Sequence, residues 1–350
     1  MKLLIHAING IGLGHVIRTS RIARAIQELY PESEIIFVTN TKYSEYLKIR
    51  FKTYALKKDT REVIEGRYTY QEYLNYNTRS ISKIISHERP DIMLFDCELN
   101  AELLGFCKNN AIHLVYVLRI TTAERFHDIK HHLALFDSLI VPHERSEFPL
   151  EQRDYLSKLS AQFTGPIIDL NDYFNFDRKD DILITFGSGS PIPENQPLFS
   201  AVDTFLEFLR KNNSMINNKS IGIKIITGPF YEGNCNLNGF SISATTDHLM
   251  KDMLSARVVI SGAGYNTINE IVQSKTPAIV IPLIRKWDDQ FKRAKQLEKH
   301  GCIRVADHEL LGHLSEILTN WSDYHNQFPD INAGNQKAAQ ALMKTFSLKT

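Results

Sequence analysis

Ser261-Gly262-Ala263-Gly264-Tyr265-Asn266-Thr267 directly follows the apolar run Val258-Val259-Ile260, and this junction is the strongest sequence signal for the fold. Such an order is typical of a buried strand, a tight turn and the start of a helix. A second junction lies at the N-terminus, where Leu3-Leu4-Ile5-His6-Ala7-Ile8 runs into Asn9-Gly10-Ile11-Gly12-Leu13-Gly14-His15. Glycine lets backbone N–H groups approach an anion, and the helix dipole adds to the attraction. Two such turns, each opening its own α/β half, indicate two domains with a ligand in the cleft between them.

The composition is that of an ordinary soluble globular protein. The 350 residues are 43% hydrophobic and 23% charged, with a net charge of +1, so nothing points to nucleic acid as a partner. The chain begins directly with a strand pattern, and no apolar run approaches about 18 residues, so neither a signal peptide nor a membrane span is expected. The cysteines lack metal-ligand spacing and are expected to be reduced in the cytoplasm: Cys97, Cys107, Cys235 and Cys302.

Strand and helix patterns alternate along both halves, which predicts parallel sheets with helices on both faces. In the first half, strands are predicted at 2–8, 34–39, 92–95, 113–117 and 138–141, and helices at 17–29 and 101–109. In the second half, strands are predicted at 181–186, 222–227, 241–243, 258–261 and 278–281, and helices at 195–209, 267–273 and 289–300. The predicted domains are therefore 1–165 and 181–331, joined by a linker at 166–180 and followed by a helical tail at 332–350. The polar stretch 211–220 is predicted to be a surface loop.

Residues 41–90 differ from the rest of the chain. They contain eleven Lys/Arg against six Asp/Glu, and half of the fourteen tyrosines. Two interpretations stay open: a solvated helical excursion with half-buried tyrosines, or a basic, aromatic-edged face for an acceptor or an anionic membrane surface.

His15 and Asp96 are the candidate catalytic residues. His15 lies near a helix N-terminus, whose dipole favours a neutral imidazole that can accept a proton. Asp96 ends a predicted strand, and such ends face the ligand crevice of an open parallel sheet, where a carboxylate can orient the histidine. The alternatives are structural: His15 as a helix cap or loop partner, and Asp96 as the N-cap of helix 101–109. Glu98 is an alternative partner for His15.

Arginines of the first helix recur every three residues, at Arg18, Arg21 and Arg24. Arg18 is a candidate for the cleft, whereas Arg21 and Arg24 are expected on a solvated face. Arg119, which closes a predicted strand, is another cleft candidate, with a structural ion pair as the alternative.

The second half holds the candidate donor-binding residues. Gly187 and Ser188 follow a strand pattern, and small hydroxyl residues with glycine bind phosphate, although an ordinary turn is an equal alternative. Glu270 is placed to accept ribose hydroxyls, as acidic residues do in dinucleotide folds. Asp289 and Gln290 follow another strand, where an acid and an amide suit sugar hydroxyls.

A metal site is not expected. His127, His131 and His132 include an i, i+4 pair, but no third ligand lies at a recognisable spacing, and no Asp-x-Asp pair occurs in a suitable loop.

These residues resemble the GT-B glycosyltransferases, and within them the family 28 branch of peptidoglycan N-acetylglucosaminyltransferases and their uncharacterised relatives. Residues 12–18 are similar to the family's glycine-rich first loop and helix. The most specific similarity covers 261–301, with Pro277, Pro282, Ala294, Leu297 and Gly301 at the spacing of its nucleotide-sugar signature. Lys275 departs from the pattern, because the family often has glycine there.

The resemblance implies two Rossmann-like domains facing each other across a cleft, with the last helix crossing back to the first domain. It implies no bound metal or other cofactor, since backbone amides and the helix dipole stabilise the leaving diphosphate. It implies that His15 is the base and that the donor is bound by the glycine turns and by carboxylate and amide groups: Gly14, Gly262, Ala263, Gly264, Asn266, Thr267, Glu270, Asp289 and Gln290.

The leading hypothesis is a cytoplasmic hexosyl- or N-acetylhexosaminyltransferase that uses a nucleotide diphosphate-sugar, UDP-linked first of all. The acceptor is open between a small molecule, a glycan and a lipid-linked molecule, and peripheral contact with the inner face of the membrane is allowed. The alternatives are a nucleotide-sugar hydrolase on the same fold and a catalytically silent binding subunit. A sugar 2-epimerase is less favoured, because the extra acidic residues for deprotonation and elimination are missing.

Overall fold

The structure is a computed structural model that divides into two compact units, Met1–Ile168 with Asn332–Thr350, and Asp169–Ile331. It describes every residue except 9–11, 42–43, 58–61, 64–65, 97–98, 170–180, 213–214, 217–218, 245–248, 307–309 and 348–350. Most of the predicted linker 166–180 therefore lies outside the described residues.

The first unit alternates strands and helices as predicted. Its strands are β1 (Lys2–Ala7), β2 (Glu34–Thr39), β3 (Lys52–Ala55), β4 (Ile92–Asp96), β5 (His113–Val117), β6 (Ser138–Val141) and β7 (Ala161–Phe163). Its helices are α1 (Gly14–Leu29), α2 (Glu45–Lys48), α3 (Tyr70–Glu88), α4 (Ala101–Asn109), α5 (Ala123–Leu133), α6 (Leu150–Ser157) and, from the C-terminus, α13 (Asn335–Ser347).

The described strands of this unit form one parallel sheet in the order β3-β2-β1-β4-β5-β6-β7. The five predicted strands are confirmed to within one residue at their ends. The sequence did not reveal β3 and β7, because these short edge strands are only half-buried and lack a continuous apolar run. In this order the chain leaves β1 in one direction and returns to β4 on its other side, so the open end between them is the topological switch point.

Both faces of this sheet are buried. Leu3, Ile5 and Ala7 of β1 pack with α1 and α13 on one face, and Leu4 packs towards α3, α4 and α5 on the other. Strands covered on both faces read as continuous apolar runs, which is why the sequence pattern located them.

The C-terminal helix α13 belongs to the first unit and packs against α1. Asn335 fixes its start, because its buried amide accepts a hydrogen bond from the Ile168 N–H at 3.1 Å and donates one to the Ile168 carbonyl at 2.9 Å. Gly165 has φ 79°, and the carbonyl of Asn332 lies 3.0 Å from where its Cβ would stand. The chain therefore leaves and re-enters this unit through one tightly hydrogen-bonded junction.

The second unit repeats the strand–helix alternation. Its strands are β8 (Asp181–Thr185), β9 (Met215–Ile216), β10 (Lys219–Ser220), β11 (Gly222–Ile226), β12 (Ser241–Ser243), β13 (Val258–Gly262), β14 (Ala278–Ile281) and β15 (Ile303–Val305). Its helices are α7 (Gln196–Lys211), α8 (Leu249–Ser255), α9 (Tyr265–Ser274), α10 (Gln290–Glu298), α11 (Leu310–Thr319) and α12 (Trp321–Asn326).

The main sheet of this unit is parallel in the order β12-β11-β8-β13-β14-β15, so its switch point lies between β8 and β13. The five predicted strands are confirmed, and both units are Rossmann-like. The prediction of a loop at 211–220 is wrong in part, because β9 and β10 pair there as a short antiparallel hairpin. Its strands are two residues long, too short to show an alternation in the sequence.

Lys275 ends α9 with φ 50°, in the left-handed region that normally favours glycine. The turn before Thr276 therefore keeps glycine-like geometry with a lysine in place, and its carbonyl accepts a hydrogen bond from His325 Nδ1 at 2.6 Å.

Candidate active site

The switch point of the first sheet brings His15 and Asp96 together. Asp96 is the last residue of β4 and pairs in register with Ala7, the last residue of β1. His15 is the second residue of α1, the helix that follows β1. Residues 9–11 of the connecting turn lie outside the described part, but Gly12, Leu13 and Gly14 lead into the helix without a side-chain cap. Sequence-distant residues therefore meet because adjacent parallel strands end at one edge.

His15, Asp96 and Arg18 form one hydrogen-bonded cluster. His15 Nδ1 lies 2.9 Å from Asp96 Oδ1. Arg18 donates from Nε to Asp96 Oδ2 at 2.9 Å and from Nη2 to Oδ1 at 2.6 Å, and the same Nη2 lies 3.0 Å from His15 Nδ1. Arg18 is only 1% exposed, whereas the His15 side chain is 24% exposed. The histidine is thus the member of the cluster that a reactant can reach.

The charges of this cluster are set by burial and by each other. Burial alone would raise the pKa of the Asp96 carboxyl, but Arg18 and His15 outweigh it and hold the pKa at about 2. Burial lowers the pKa of His15 below its usual 6.5, and Arg18 and Arg119 act in the same direction, against Asp96. Near neutral pH the cluster therefore contains an ionised aspartate, an arginine cation and a neutral histidine.

A neutral His15 can use the cluster in two ways, depending on which nitrogen carries the proton. With the proton on Nδ1, the ring donates to Asp96 and leaves Nε2 as a proton acceptor. With the proton on Nε2, Nδ1 instead accepts from Arg18. The first arrangement is that of a general base oriented by a carboxylate.

Two expectations about this region are corrected. Asp96 is not the N-cap of α4, because Asn100 fills that role by accepting from the Leu103 N–H at 3.1 Å. Arg21 is buried rather than on a solvated face, since α1 is covered by both the sheet and α13. Glu98 lies outside the described residues. Arg119 is half-buried and close enough to affect the pKa of His15.

His143 is a functional-looking residue that sequence reasoning missed. Its Nε2 accepts from the Ile120 N–H at 3.2 Å and its Nδ1 lies 2.9 Å from Glu147 Oε2, so it braces the loop that carries Arg119. Only the fold brings residues 120 and 143 together, although a histidine two residues past a strand was a usable signal.

In the second unit, two glycine turns interlock at the carboxyl edge of the sheet. Gly187 and Gly189, after β8, have φ 64° and 70°, and Gly228 follows β11 with φ 86°. A Cβ on Gly189 would lie 2.0 Å from the Thr227 carbonyl, and one on Gly228 would lie 2.3 Å from the Ser188 carbonyl carbon. The Ser188 carbonyl also accepts from the Phe230 N–H at 3.0 Å. Close packing therefore leaves no room for a side chain at Gly189 or Gly228. Gly187 is exposed, and a Cβ added there would meet open space.

The turn after β13 presents a helix start with no side-chain cap. Gly264 is the N-cap of α9, and Asn266 and Thr267 lie in its first turn. Gly262 packs closely, since a Cβ there would lie 3.2 Å from Leu283 Cδ1. The first N–H groups of a helix have no intrahelical acceptor, so this end is suited to an anion.

The remaining predicted donor residues lie on α9 and at the start of α10. Glu270 is buried on α9. Asp289 is the exposed N-cap of α10, where its carboxylate accepts from the Lys292 N–H at 2.9 Å. Gln290 is buried, and its Oε1 accepts from the Leu283 N–H at 3.1 Å. Asp289 and Gln290, which are predicted to contact the donor sugar, thus also make hydrogen bonds that stabilise the start of α10 and the loop after β14.

Arg293 ties two parts of this edge together, which the sequence did not predict. Its Nη1 donates to the Ala263 carbonyl at 2.8 Å, inside the glycine turn, and its guanidinium forms an ion pair with Asp288. Arg293 therefore connects the turn after β13 to the loop after β14.

Comparisons with known proteins agree with this architecture. Residues 200–346 match the glycosyltransferase family 28 C-terminal domain. A stretch of 91 residues is 36% identical to a UDP-N-acetylglucosamine--N-acetylmuramyl-(pentapeptide) pyrophosphoryl-undecaprenol N-acetylglucosamine transferase of Clostridium novyi, and covers about a quarter of each chain (25% and 25%).

Solved structures share the fold over the whole chain. The glycosyltransferase SnogD from Streptomyces nogalater has a TM-score of 0.64 at 14% identity and covers 99% of both chains. A UDP-GlcNAc 2-epimerase from Neisseria meningitidis bound to UDP-GlcNAc has a TM-score of 0.61 at 14% identity over 100% of both chains. The chain therefore has the two-domain GT-B architecture and resembles family 28 glycosyltransferases.

Two kinds of feature are absent from the residues that the structure describes. None of its helices has the length and apolar character needed to cross a bilayer. No three His, Cys, Asp or Glu side chains within those residues come together as a metal site requires.

Proposed function

We propose that this protein is a glycosyltransferase that moves a hexosyl or N-acetylhexosaminyl group from a nucleotide diphosphate-sugar, UDP-linked first of all, to an acceptor hydroxyl. The observation that carries the proposal is the His15–Asp96–Arg18 cluster at the switch point of the first sheet. The family 28 match in the second half and the glycine turn before α9 support the nucleotide-sugar part of it.

In the proposed reaction His15 Nε2 takes the proton of the acceptor hydroxyl while the hydroxyl oxygen attacks the anomeric carbon of the donor sugar. Asp96 holds the Nδ1–H tautomer and stabilises the imidazolium that forms. The bond from the anomeric carbon to the diphosphate breaks, and the electron pair leaves with the diphosphate.

We assign donor binding to the second unit. The N-terminus of α9, with Gly262, Ala263 and Gly264, is suited to the leaving diphosphate through backbone amides and the helix dipole, which makes a metal unnecessary. Glu270 is assigned to the ribose, and Gln290 with Asp289 to the donor sugar. We propose a cytoplasmic location, since Cys107, Cys235 and Cys302 are free thiols.

The first test is a thermal-shift series with UDP, TDP, GDP, ADP and common UDP-sugars. A ligand at one hundred times its dissociation constant adds about 2.7 kcal/mol to the free energy of unfolding, which gives a visible shift. A selective shift supports the donor site, and no shift with any nucleotide overturns it.

His15→Gln then tests the base. This variant should lower turnover about 10²–10⁴-fold, because general-base catalysis contributes about that much to the rate. The thermal shift caused by the preferred nucleotide should stay unchanged. His127→Gln, an exposed histidine of α5, is the matched control and should leave turnover unchanged. Sugar release that needs no acceptor would identify a hydrolase instead, and nucleotide binding without any turnover would identify a silent subunit.

A further inference from the structure

Three large apolar side chains are exposed within eight residues of the second unit. Ile284 is 81% exposed, Trp287 48% and Phe291 61%. They lie in the loop after β14 and in the first turn of α10, where the neighbouring Leu283 and Gln290 are buried. The anchored residues therefore hold this part of the chain in place while the three apolar side chains point into solvent.

Two of these apolar side chains have a lysine close to their ring, and further lysines of the same stretch are exposed. Lys286, Lys292 and Lys299 are exposed, and Lys286 Nζ lies 5.2 Å from the centre of the Trp287 ring. Lys295 Nζ lies 5.8 Å from the centre of the Phe291 ring.

The acidic groups of the same stretch are largely engaged. Asp288 is paired with Arg293 and Glu298 with Lys295, while Asp289 is the one exposed carboxylate in residues 284–299, all of which the structure describes. We name residues 284–299 the basic apolar segment. Apart from the Asp289 carboxylate and the Gln296 amide, its exposed groups are aliphatic, aromatic and cationic.

We infer that the basic apolar segment docks on an anionic phospholipid bilayer. Tryptophan favours the headgroup region of a bilayer, and exposed isoleucine and phenylalanine gain free energy by entering the acyl boundary. Lysines next to such side chains are attracted to anionic headgroups, each by about fivefold in affinity. The charge complementarity selects an anionic bilayer over a zwitterionic one.

This inference goes beyond the proposed transfer reaction and does not depend on it. Its test is co-sedimentation of the full chain with phosphatidylcholine vesicles that do or do not contain phosphatidylglycerol. Binding is expected only with phosphatidylglycerol and should weaken as salt is raised. Because no nucleotide or sugar is present, failure here leaves the transferase proposal untouched.

Matched variants make the test specific. Ile284→Ser should weaken vesicle binding about tenfold or more, whereas Ile49→Ser, at an equally exposed isoleucine (82%) of the first unit, should not. Lys286→Gln and Lys292→Gln should each weaken binding about fivefold, and Lys337→Gln on α13 should not.

Fluorescence gives an independent readout. The chain has two tryptophans, and Trp321 is stacked on His325 with a ring-centre distance of 4.6 Å. In the Trp321→Phe variant, Trp287 alone should shift to the blue on adding anionic vesicles. Equal binding to both vesicle types, equal loss in Ile49→Ser and Ile284→Ser, or no blue shift would each overturn the inference. So would an Ile284→Ser variant that changes the oligomeric state without lipid, since the segment would then be an interface between copies.

Discussion

The carboxyl edges of the two sheets are built from the same strand–turn–helix unit but carry different chemistry. The first edge holds a buried, charged cluster of His15, Arg18 and Asp96. The second presents interlocked glycine turns, so backbone geometry dominates there. One fold is therefore specialised at its switch point either by side-chain electrostatics or by close backbone packing.

Breaking the charged cluster should have the largest effect. Asp96→Asn leaves the buried Arg18 cation without its carboxylate and should lower the free energy of unfolding of the first unit by about 3–5 kcal/mol. Hydrogen exchange of the β1 and β4 amides reads the stability of this unit separately.

The second unit supplies the control for this prediction. Its Arg304–Glu316 pair is partly exposed, so Glu316→Gln should cost at most about 1 kcal/mol. The double variant Arg18→Met with Asp96→Leu should recover most of the loss, because no unpaired charge remains. A cost of Asp96→Asn as small as that of Glu316→Gln would contradict the buried cluster.

The next effect concerns the glycine turns of the second unit. Gly189→Ala forces a Cβ towards the Thr227 carbonyl and should cost at least about 3 kcal/mol, measured by hydrogen exchange of the β8 amides. Gly187→Ala shares the positive φ but meets open space, so it should cost only about 1–2 kcal/mol. If the two variants lost the same free energy of unfolding, the positive φ alone, and not the close packing of the two turns, would account for the need for glycine at these positions.

The first unit should also be the more acid-sensitive one. His6 is buried, neither ring nitrogen has a hydrogen-bond partner among the described residues, and burial lowers its pKa to about 3. As pH falls below about 6.5, His6 becomes protonated in the unfolded chain, whereas in the folded unit it stays neutral until about pH 3. Stability should therefore fall in this window by about 1.4 kcal/mol per pH unit.

His6→Leu should remove this slope and raise stability at neutral pH, since it also deletes two unsatisfied nitrogens. A fall of stability in the same direction should remain, because burial also lowers the pKa of His15. Below about pH 4 the unfolded chain also takes up protons on Asp96 and Glu88, whose pKa values in the folded unit are about 2, so stability should fall further. Acid-unfolding curves of His6→Leu that match those of the unmodified chain would refute this account.

The smallest effect is expected at the end of α9. Lys275→Gly should stabilise the second unit by about 0.5 kcal/mol, because relief of the left-handed conformation exceeds the entropy cost of glycine. Lys275→Ala removes the ion pair with Asp330 (3.6 Å) but keeps the φ of 50°, so it should not stabilise. Stabilisation by both variants in thermal unfolding would assign the effect to the lysine charge instead.

The pattern of residues was enough to predict the two Rossmann-like units, their central strands and the proximity of His15 to Asp96. Strands buried on both faces are continuous apolar runs, and parallel strands place their carboxyl ends at one edge, so pattern alone locates both. The folded chain was needed to show which side chains form ion pairs and which turns pack against each other. The decisive contacts join residues from different strands or turns. They are the hydrogen bonds from Arg18 to Asp96, from Arg293 to the Ala263 carbonyl and from the Ile120 N–H to His143, and the close packing of Gly189 against Thr227. Such contacts depend on register, rotamers and burial, which no local pattern of residues encodes.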